Sequence, residues 1–279
     1  MAELLVTGAR GFVGTAICRI FDDLGMAWRA FAGDVCRYED FREYPDARAI
    51  VHLAGRTRFT DENRFQAFTT NVLGALNAAR FACEQGGSLF FASTCCYAPD
   101  APMPVPETAP LHPSSAYARS KISAEDIIQH FAHEFGLPGC IFRLFNVYGP
   151  GQPQGFVVPD YLSRLPSERL TIFNPDAMRD FIHVDDAARF MATAVAATPT
   201  TMHCVNAGTG VGHSVQQVVA MLCALMDTRP EFEYALSEVA IMESVADITL
   251  ARRLFGWEPS IELEQGLRRV VEAAQGTGG

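Results

Sequence analysis

The stretch Thr7-Gly8-Ala9-Arg10-Gly11-Phe12-Val13-Gly14 constrains the fold of this chain more than any other. It lies between a strand-like apolar run, Glu3 to Thr7, and a segment from Gly14 to Leu24 with helical spacing. In that setting Gly8 permits a tight turn, Gly11 lets backbone approach a pyrophosphate, and Gly14 lets the helix close on the strand. The first N–H groups of the helix are then free for phosphate oxygens, with the positive end of the helix dipole behind them. A glycine-rich turn alone is a weak sign. Its position between a first strand and a first helix points to a dinucleotide.

Downstream, short apolar runs alternate with longer amphipathic stretches, the pattern of a parallel sheet flanked by helices. Strands are expected at Ala27–Ala32, Ala49–Leu53, Ser88–Ser93 and Cys140–Phe145, and helices at Phe65–Gln85 and Tyr117–Phe135. Pro99 to Pro113 reads as a loop. After Val147 the texture changes: Gly149, Pro150, Gly151, Pro153 and Gly155 mark a long connection, and Pro159, Pro166 and Pro175 punctuate the segment beyond it. Asp180–Val184 reads as a strand, Asp186–Ala197 as a helix and Met202–Asn206 as a strand, all expected to return to the first sheet. Residues 1–145 and 180–206 then form the nucleotide-binding domain. Residues 146–179 and 207–279 form a smaller lobe, with helices at Val215–Met226 and Leu263–Ala274.

Two further features carry chemistry. Tyr117-Ala118-Arg119-Ser120-Lys121 puts a phenol and an ammonium four residues apart, on one face of a helix. A free phenol, with a pKa of about 10, is a poor base at neutral pH, and a nearby cation favours its phenolate. The run Phe90-Phe91-Ala92-Ser93-Thr94-Cys95-Cys96-Tyr97 brings hydroxyls to the C-terminal end of a buried strand, where ligands of open α/β sheets bind.

In this order the three features resemble the extended short-chain dehydrogenases/reductases, the NAD-dependent epimerase/dehydratase family typified by UDP-galactose 4-epimerase. Matching segments run through almost the whole chain: His52-Leu53-Ala54-Gly55, Asn71, Glu107 to Leu111, Arg143 to Pro150, Arg179 to Asp186 and Leu254 to Pro259. The resemblance implies an α/β fold, a Rossmann doubly wound parallel sheet with a smaller C-terminal substrate-binding lobe. It implies Ser93, Tyr117 and Lys121 as catalytic residues, Tyr117 being the acid/base. Gly8, Gly11, Phe12, Val13, Gly14, Asp34, Val35, Leu53, Ala54, Gly55 and Asn71, with Tyr117 and Lys121, would meet the cofactor, which is NAD with NADP left open. Thr94, Cys95, Asn146 and Arg179 would meet a sugar or sugar-nucleotide substrate. A homodimer through the helices Phe65–Gln85 and Tyr117–Phe135 is also implied.

The chain departs from the family pattern at three places. Ala32-Gly33 occupy the usual ribose-binding acidic position. Thr94-Cys95 stand where sugar dehydratases carry Asp-Glu, which argues against 4,6-dehydration; GDP-fucose synthases have a catalytic Cys at the position resembling Cys95. Ser237 to Ala246 contains no arginine where the family grips a nucleoside diphosphate. The activity expected is therefore NAD-dependent epimerisation through a transient ketone. A net keto-sugar reductase, or a non-catalytic NAD(P)-binding regulator, stands as the alternative.

Composition narrows the partners. With 22 Lys+Arg against 32 Asp+Glu the net charge is −10, which argues against nucleic acid or an anionic membrane. No leader or spanning segment is recognised. The 8 cysteines follow no metal or disulfide frame, which fits a reducing cytoplasm. His183, Asp185 and Asp186 lie too close together in sequence to face one metal ion and read instead as a strand end and helix cap.

Overall fold

The computed structural model describes residues 3–236 and 243–276. The first strand, β1 (Glu3–Thr7), enters α1 (Phe12–Asp23) through the glycine turn. Then come β2 (Trp28–Ala30), α2 (Tyr38–Phe41), β3 (Ala47–His52), α3 (Arg64–Glu84), β4 (Ser88–Thr94), α4 (Ala116–Phe135) and β5 (Gly139–Leu144). The later part comprises β6 (Asn146–Tyr148), α5 (Val157–Arg164), β7 (Arg169–Phe173), β8 (Met178–His183), α6 (Val184–Ala196) and β9 (Met202–Ala207). It ends with β10 (Gly212–Ser214), α7 (Val215–Met226), β11 (Glu231–Ala235), β12 (Glu243–Ser244), α8 (Thr249–Phe255) and α9 (Leu263–Gly276).

Six strands form one parallel sheet in the order β2-β1-β3-β4-β5-β9. The chain steps outward from β1 to β2 and then crosses back to β3 on the other side. The connections diverge there, opening a crevice at the strand C-termini. Adjacent residues of each strand feed opposite cores, which is why these strands are apolar runs rather than alternating ones. Val6, Phe90 and Phe142 pack with Ile17 and Phe21 of α1 and Phe190 and Met191 of α6. Leu5, Phe91 and Ile141 pack with Ala75 and Ala78 of α3 and Ile128 of α4.

One expected strand goes elsewhere. The sequence pattern points residues 180–184 to the large sheet, but β8 pairs with β6, β10 and β12 in a separate small sheet. The edge beside β5 is taken by β9, whose register runs from Gly139 opposite Met202 to Leu144 opposite Ala207. Strand β8 instead lies between two cores: Ile182 joins the one under α1 and α6, and Phe181 joins Leu170, Val218 and Leu267 of the smaller lobe. The helix α6 and strand β9 do return to the first unit, as expected.

Helix α5 is hidden in the sequence by its proline. Pro159 lies in the first turn, where a missing N–H breaks no intrahelical bond, so the residue read as punctuation is inside a helix. Helix α8 ends at Gly256, which has a left-handed φ of 60°. Among the described residues no helix is long and apolar enough to cross a membrane.

Candidate active site

The glycine turn is built for two kinds of close approach. Gly8 has φ +70°, and a Cβ there would lie 2.6 Å from the Ala54 nitrogen. A Cβ on Gly14 would collide with the Gly8 carbonyl oxygen, so α1 can close on the turn only without one. Gly11 differs. It has ordinary extended backbone (φ −76°, ψ 171°), and its Cβ would meet only the Gly8 oxygen, at 3.2 Å. The protein's own packing barely requires glycine there, whereas a phosphate pressed on the backbone would. Gly11 is also the N-cap of α1, with no side-chain cap and no acidic residue in the first turn. Its N–H groups are thus left for an anion from outside.

Two cavities open from this turn and share Gly8. One, of about 700 Å³, runs along Gly33, Asp34, Val35, Ala54 and Arg56. The other, of about 620 Å³, runs past Gly11 to Gly14, Leu53 and Gly55 to Thr94, Tyr117 and Asn146. Together they make a groove across the sheet's C-terminal edge with the glycine turn at its middle. An adenosine half and a nicotinamide half fit such a groove.

Tyr117 lies on the first turn of α4, whose N-cap Ser115 accepts a hydrogen bond from the Ala118 N–H. One turn on, Lys121 is buried, its Nζ 4.1 Å from the Phe91 ring centroid. A Cβ built on Gly55 would be 3.9 Å from that Nζ, so the ammonium faces the segment that comes after β3. It makes no hydrogen bond among the described residues. Burial lowers its pKa to about 7, against the opposing pull of Glu125. Burial also raises the Tyr117 phenol above its usual range, with Cys95 and Cys96 adding to the effect. The sequence holds 21 arginines and a single lysine, and that lysine is Lys121. Arginine cannot titrate near neutrality, whereas a buried ammonium such as Lys121 can.

The sequence model of the NAD dependent epimerase/dehydratase family matches residues 4–208. This chain belongs to that family. It is 28% identical to the UDP-glucuronate 4-epimerase of Thermodesulfobacterium geofontis, over 97% of this chain and 95% of that protein. It is 27% identical to the GDP-6-deoxy-D-mannose reductase of Pseudomonas aeruginosa, over 96% of each. The UDP-glucose 4-epimerase of Thermotoga maritima, solved with UDP-glucose, superposes with a TM-score of 0.89 at 27% identity, covering 99% of both chains.

Within this family member several expected site residues have other work. The Ser93 hydroxyl donates to Glu125, whose carboxylate takes Arg143 Nη2 at 2.8 Å and Nε at 3.1 Å. Arg143 continues to the Tyr97 hydroxyl and the Glu107 carbonyl, and Tyr97 donates to Asn206. This buried network ties β4, α4, β5 and β9 together beneath Tyr117. Ser93 borders the cleft, but its proton points into the protein. Its neighbour Thr94 also borders the cleft, and its hydroxyl makes no hydrogen bond among the described residues.

Asn71 is likewise a brace. Its amide nitrogen donates to the Arg56 carbonyl and to the Ser120 hydroxyl, and its oxygen accepts from the Arg56 N–H. Both of its donor hydrogens are used by the protein, so it fixes the Gly55–Arg56 segment against α4. Asp34 accepts from the Cys36 N–H beside the adenosine-sized cavity, and Asn146 donates to the Asp180 carbonyl. Arg179 is turned to the Met178 carbonyl within electrostatic reach of Cys95, outside the lining of the larger-sheet cleft. The Cys95 thiol is pushed up to about 11 by burial, so it is un-ionised at neutral pH.

The remaining candidates are structural. His183 caps α6 by accepting from the Asp185 N–H. Asp185 meets Arg19 and Arg269, while Asp186 accepts from Ser260 and Ile261. All 8 cysteines are free thiols. The arginine-free stretch 237–246 lies outside the described residues up to 242. Sequence reasoning missed Thr57 and the Arg58–Phe59 pair: Thr57 lines the cleft, and Phe59 meets the Tyr117 ring edge-on at 6.4 Å. Nothing in a loop with no periodicity could have signalled them.

Proposed function

We propose that this protein is an NAD-dependent epimerase of a sugar nucleotide, inverting one ring carbon through a transient ketone. The observation that carries the reading is the pair Tyr117 and Lys121, one helical turn apart at one end of a groove that has the glycine turn at its middle. When bound, the nicotinamide supplies hydride acceptance and return. Tyr117 takes the substrate hydroxyl proton as the ketone forms and gives it back when hydride returns to the opposite face. Lys121 holds the ribose beside Gly55 and stabilises the phenolate of Tyr117. Thr94, whose hydroxyl makes no hydrogen bond among the described residues, is a better hydrogen-bond partner for the reacting oxygen than Ser93.

Gly8, Gly11, Phe12, Val13 and Gly14 receive the pyrophosphate, Asp34 and Val35 the adenosine, and Leu53, Ala54 and Gly55 the inner ribose. Asn71 supports that segment from behind. Asn146, Thr94 and Cys95 border the substrate side, and Arg179 would have to turn from the Met178 carbonyl to reach a substrate there. A net reductase is the second reading, favoured by Ala32 and Gly33 after β2, where no acidic side chain selects a free ribose hydroxyl. We further propose a cytoplasmic homodimer packed through α3 and α4, supported by the half-buried Leu76, Ile127 and Phe131 on those helices. A monomer by light scattering at micromolar concentration would exclude that dimer.

The deciding assay tracks UDP-hexoses and UDP-hexuronates by proton NMR, with absorbance read at 340 nm. Epimerisation gives a new C4 epimer with no net absorbance change. Steady consumption of added NAD(P)H with a keto-sugar would make the protein a reductase.

A further inference from the structure

The loop from β3 to α3 crosses the cleft mouth, and Arg58 lies on it between Thr57, which lines the cleft, and Phe59, whose ring meets Tyr117. Its guanidinium lies over Gly155, on the opposite wall. A Cβ at Gly155 would be 3.1 Å from Arg58 Nη2 and 3.5 Å from both Cζ and Nε. The guanidinium therefore lies close against the glycine, and a side chain at 155 would crowd it. Gly155 holds φ +95°, a conformation glycine adopts without strain, and itself lines the cleft just before α5.

Arg58 is exposed and has no hydrogen bond or ion pair among the described residues. It shares the lack of a carboxylate partner among the described residues with Arg10, Arg48, Arg56 and Arg119, and what sets it apart is its place beside the cleft. Other arginines here do find one: Arg19, Arg64, Arg80 and Arg143 are examples. Arg58 passes close to Gly155 with no N–H donor spent on a hydrogen bond among the described residues, and it sits one residue from the ring that touches Tyr117.

We propose that Arg58 reads an anionic substituent on the reacting sugar itself, a carboxylate on the ring carbon next to the one whose hydroxyl Tyr117 deprotonates. The inference rests on the epimerase reading above and adds the substrate's chemical class: a nucleotide-linked uronate rather than a neutral hexose. Consecutive Cα atoms are about 3.8 Å apart, so the neighbour of Phe59 is placed at the sugar end of the cleft, not a nucleotide's length away. A planar fork also matches a carboxylate with two parallel hydrogen bonds. The diphosphate of any nucleotide sugar is the other anion in reach, and the test separates the two.

The experiment is calorimetric titration of the NAD-loaded protein with UDP-glucuronate and UDP-glucose, for wild type and for Arg58→Met. The wild type should bind the uronate at least about tenfold more tightly than the hexose. In the variant that ratio should collapse towards one, mainly through a loss of about 10- to 100-fold on the uronate, the range of a charged hydrogen-bonded contact. Arg58→Lys, keeping charge without the fork, should fall between. An equal loss on both ligands would mean that Arg58 grips the diphosphate, and it would overturn the proposal. So would a wild type without preference, which would leave the epimerase reading standing. Binding of neither ligand by the wild type would overturn that parent reading, and this one with it. Matching melting curves of the two proteins show that the variant is folded.

Discussion

Replacing Lys121 by Met should make the cofactor-free protein more stable at neutral pH while destroying its function. The ammonium is buried against Phe91 with no hydrogen-bond partner among the described residues. Its pKa falls from 10.5 to about 7 through burial. At about 1.4 kcal/mol per pH unit, keeping the buried group charged costs on the order of 5 kcal/mol. Met fills a similar volume without charge, and the cation–π attraction to the Phe91 ring that it forgoes is worth roughly 1–2 kcal/mol. The net gain at pH 7 is therefore on the order of 3 kcal/mol, a large change for a single substitution.

The pH dependence carries the sign. The unfolded chain keeps the Lys121 proton up to about pH 10.4, whereas the folded protein releases it near 7. Between those values the unfolded state binds more protons, so wild-type stability rises with pH. The advantage of the variant is thus full at or below pH 7 and shrinks as pH approaches 10. Urea denaturation of both proteins at pH 7 and 9.5 measures this difference directly. Because Lys121 is the only lysine, one side-chain carbon resonance reports its titration without assignment. A resonance titrating near 10, or a variant less stable than wild type at pH 7, would refute the reasoning.

Three other outcomes are expected. Gly11→Val should abolish NAD binding by calorimetry while the protein still melts cooperatively, since the Cβ meets only the Gly8 oxygen, at 3.2 Å; retained affinity would remove the pyrophosphate from this turn. Tyr117→Phe should lower turnover by about 10²- to 10⁴-fold with cofactor affinity nearly unchanged, and near-normal turnover would assign the proton to another group. Thr94→Val should lower kcat more than Ser93→Ala, whereas Ser93→Ala should mainly lower stability, by about 1–3 kcal/mol, because it strips a hydrogen bond from buried Glu125; the reverse ordering would return the catalytic hydroxyl to Ser93.

Much of the local structure was legible in the sequence. The glycines at 8, 11 and 14, the pair Tyr117 and Lys121, and the apolar runs of β1, β3, β4 and β5 each act over a few residues. A turn, a helix face or a two-faced strand is set by neighbours in the chain. What the sequence left open was competition between distant partners. Ser93 and Thr94 are adjacent hydroxyls, and only folding decides that Ser93 spends its proton on Glu125, held by Arg143 from another strand. Asn71 reads as a cofactor ligand until Arg56 and Ser120 take both its donor hydrogens. Strand β8 has the apolar character of a sheet strand, but β9 fills the edge beside β5, and the alternation of Phe181 and Ile182 serves two cores at once. The close approach of Arg58 to Gly155 joins residues far apart in sequence. Nothing in either segment alone specifies it, because close approach across loops depends on how the whole chain packs.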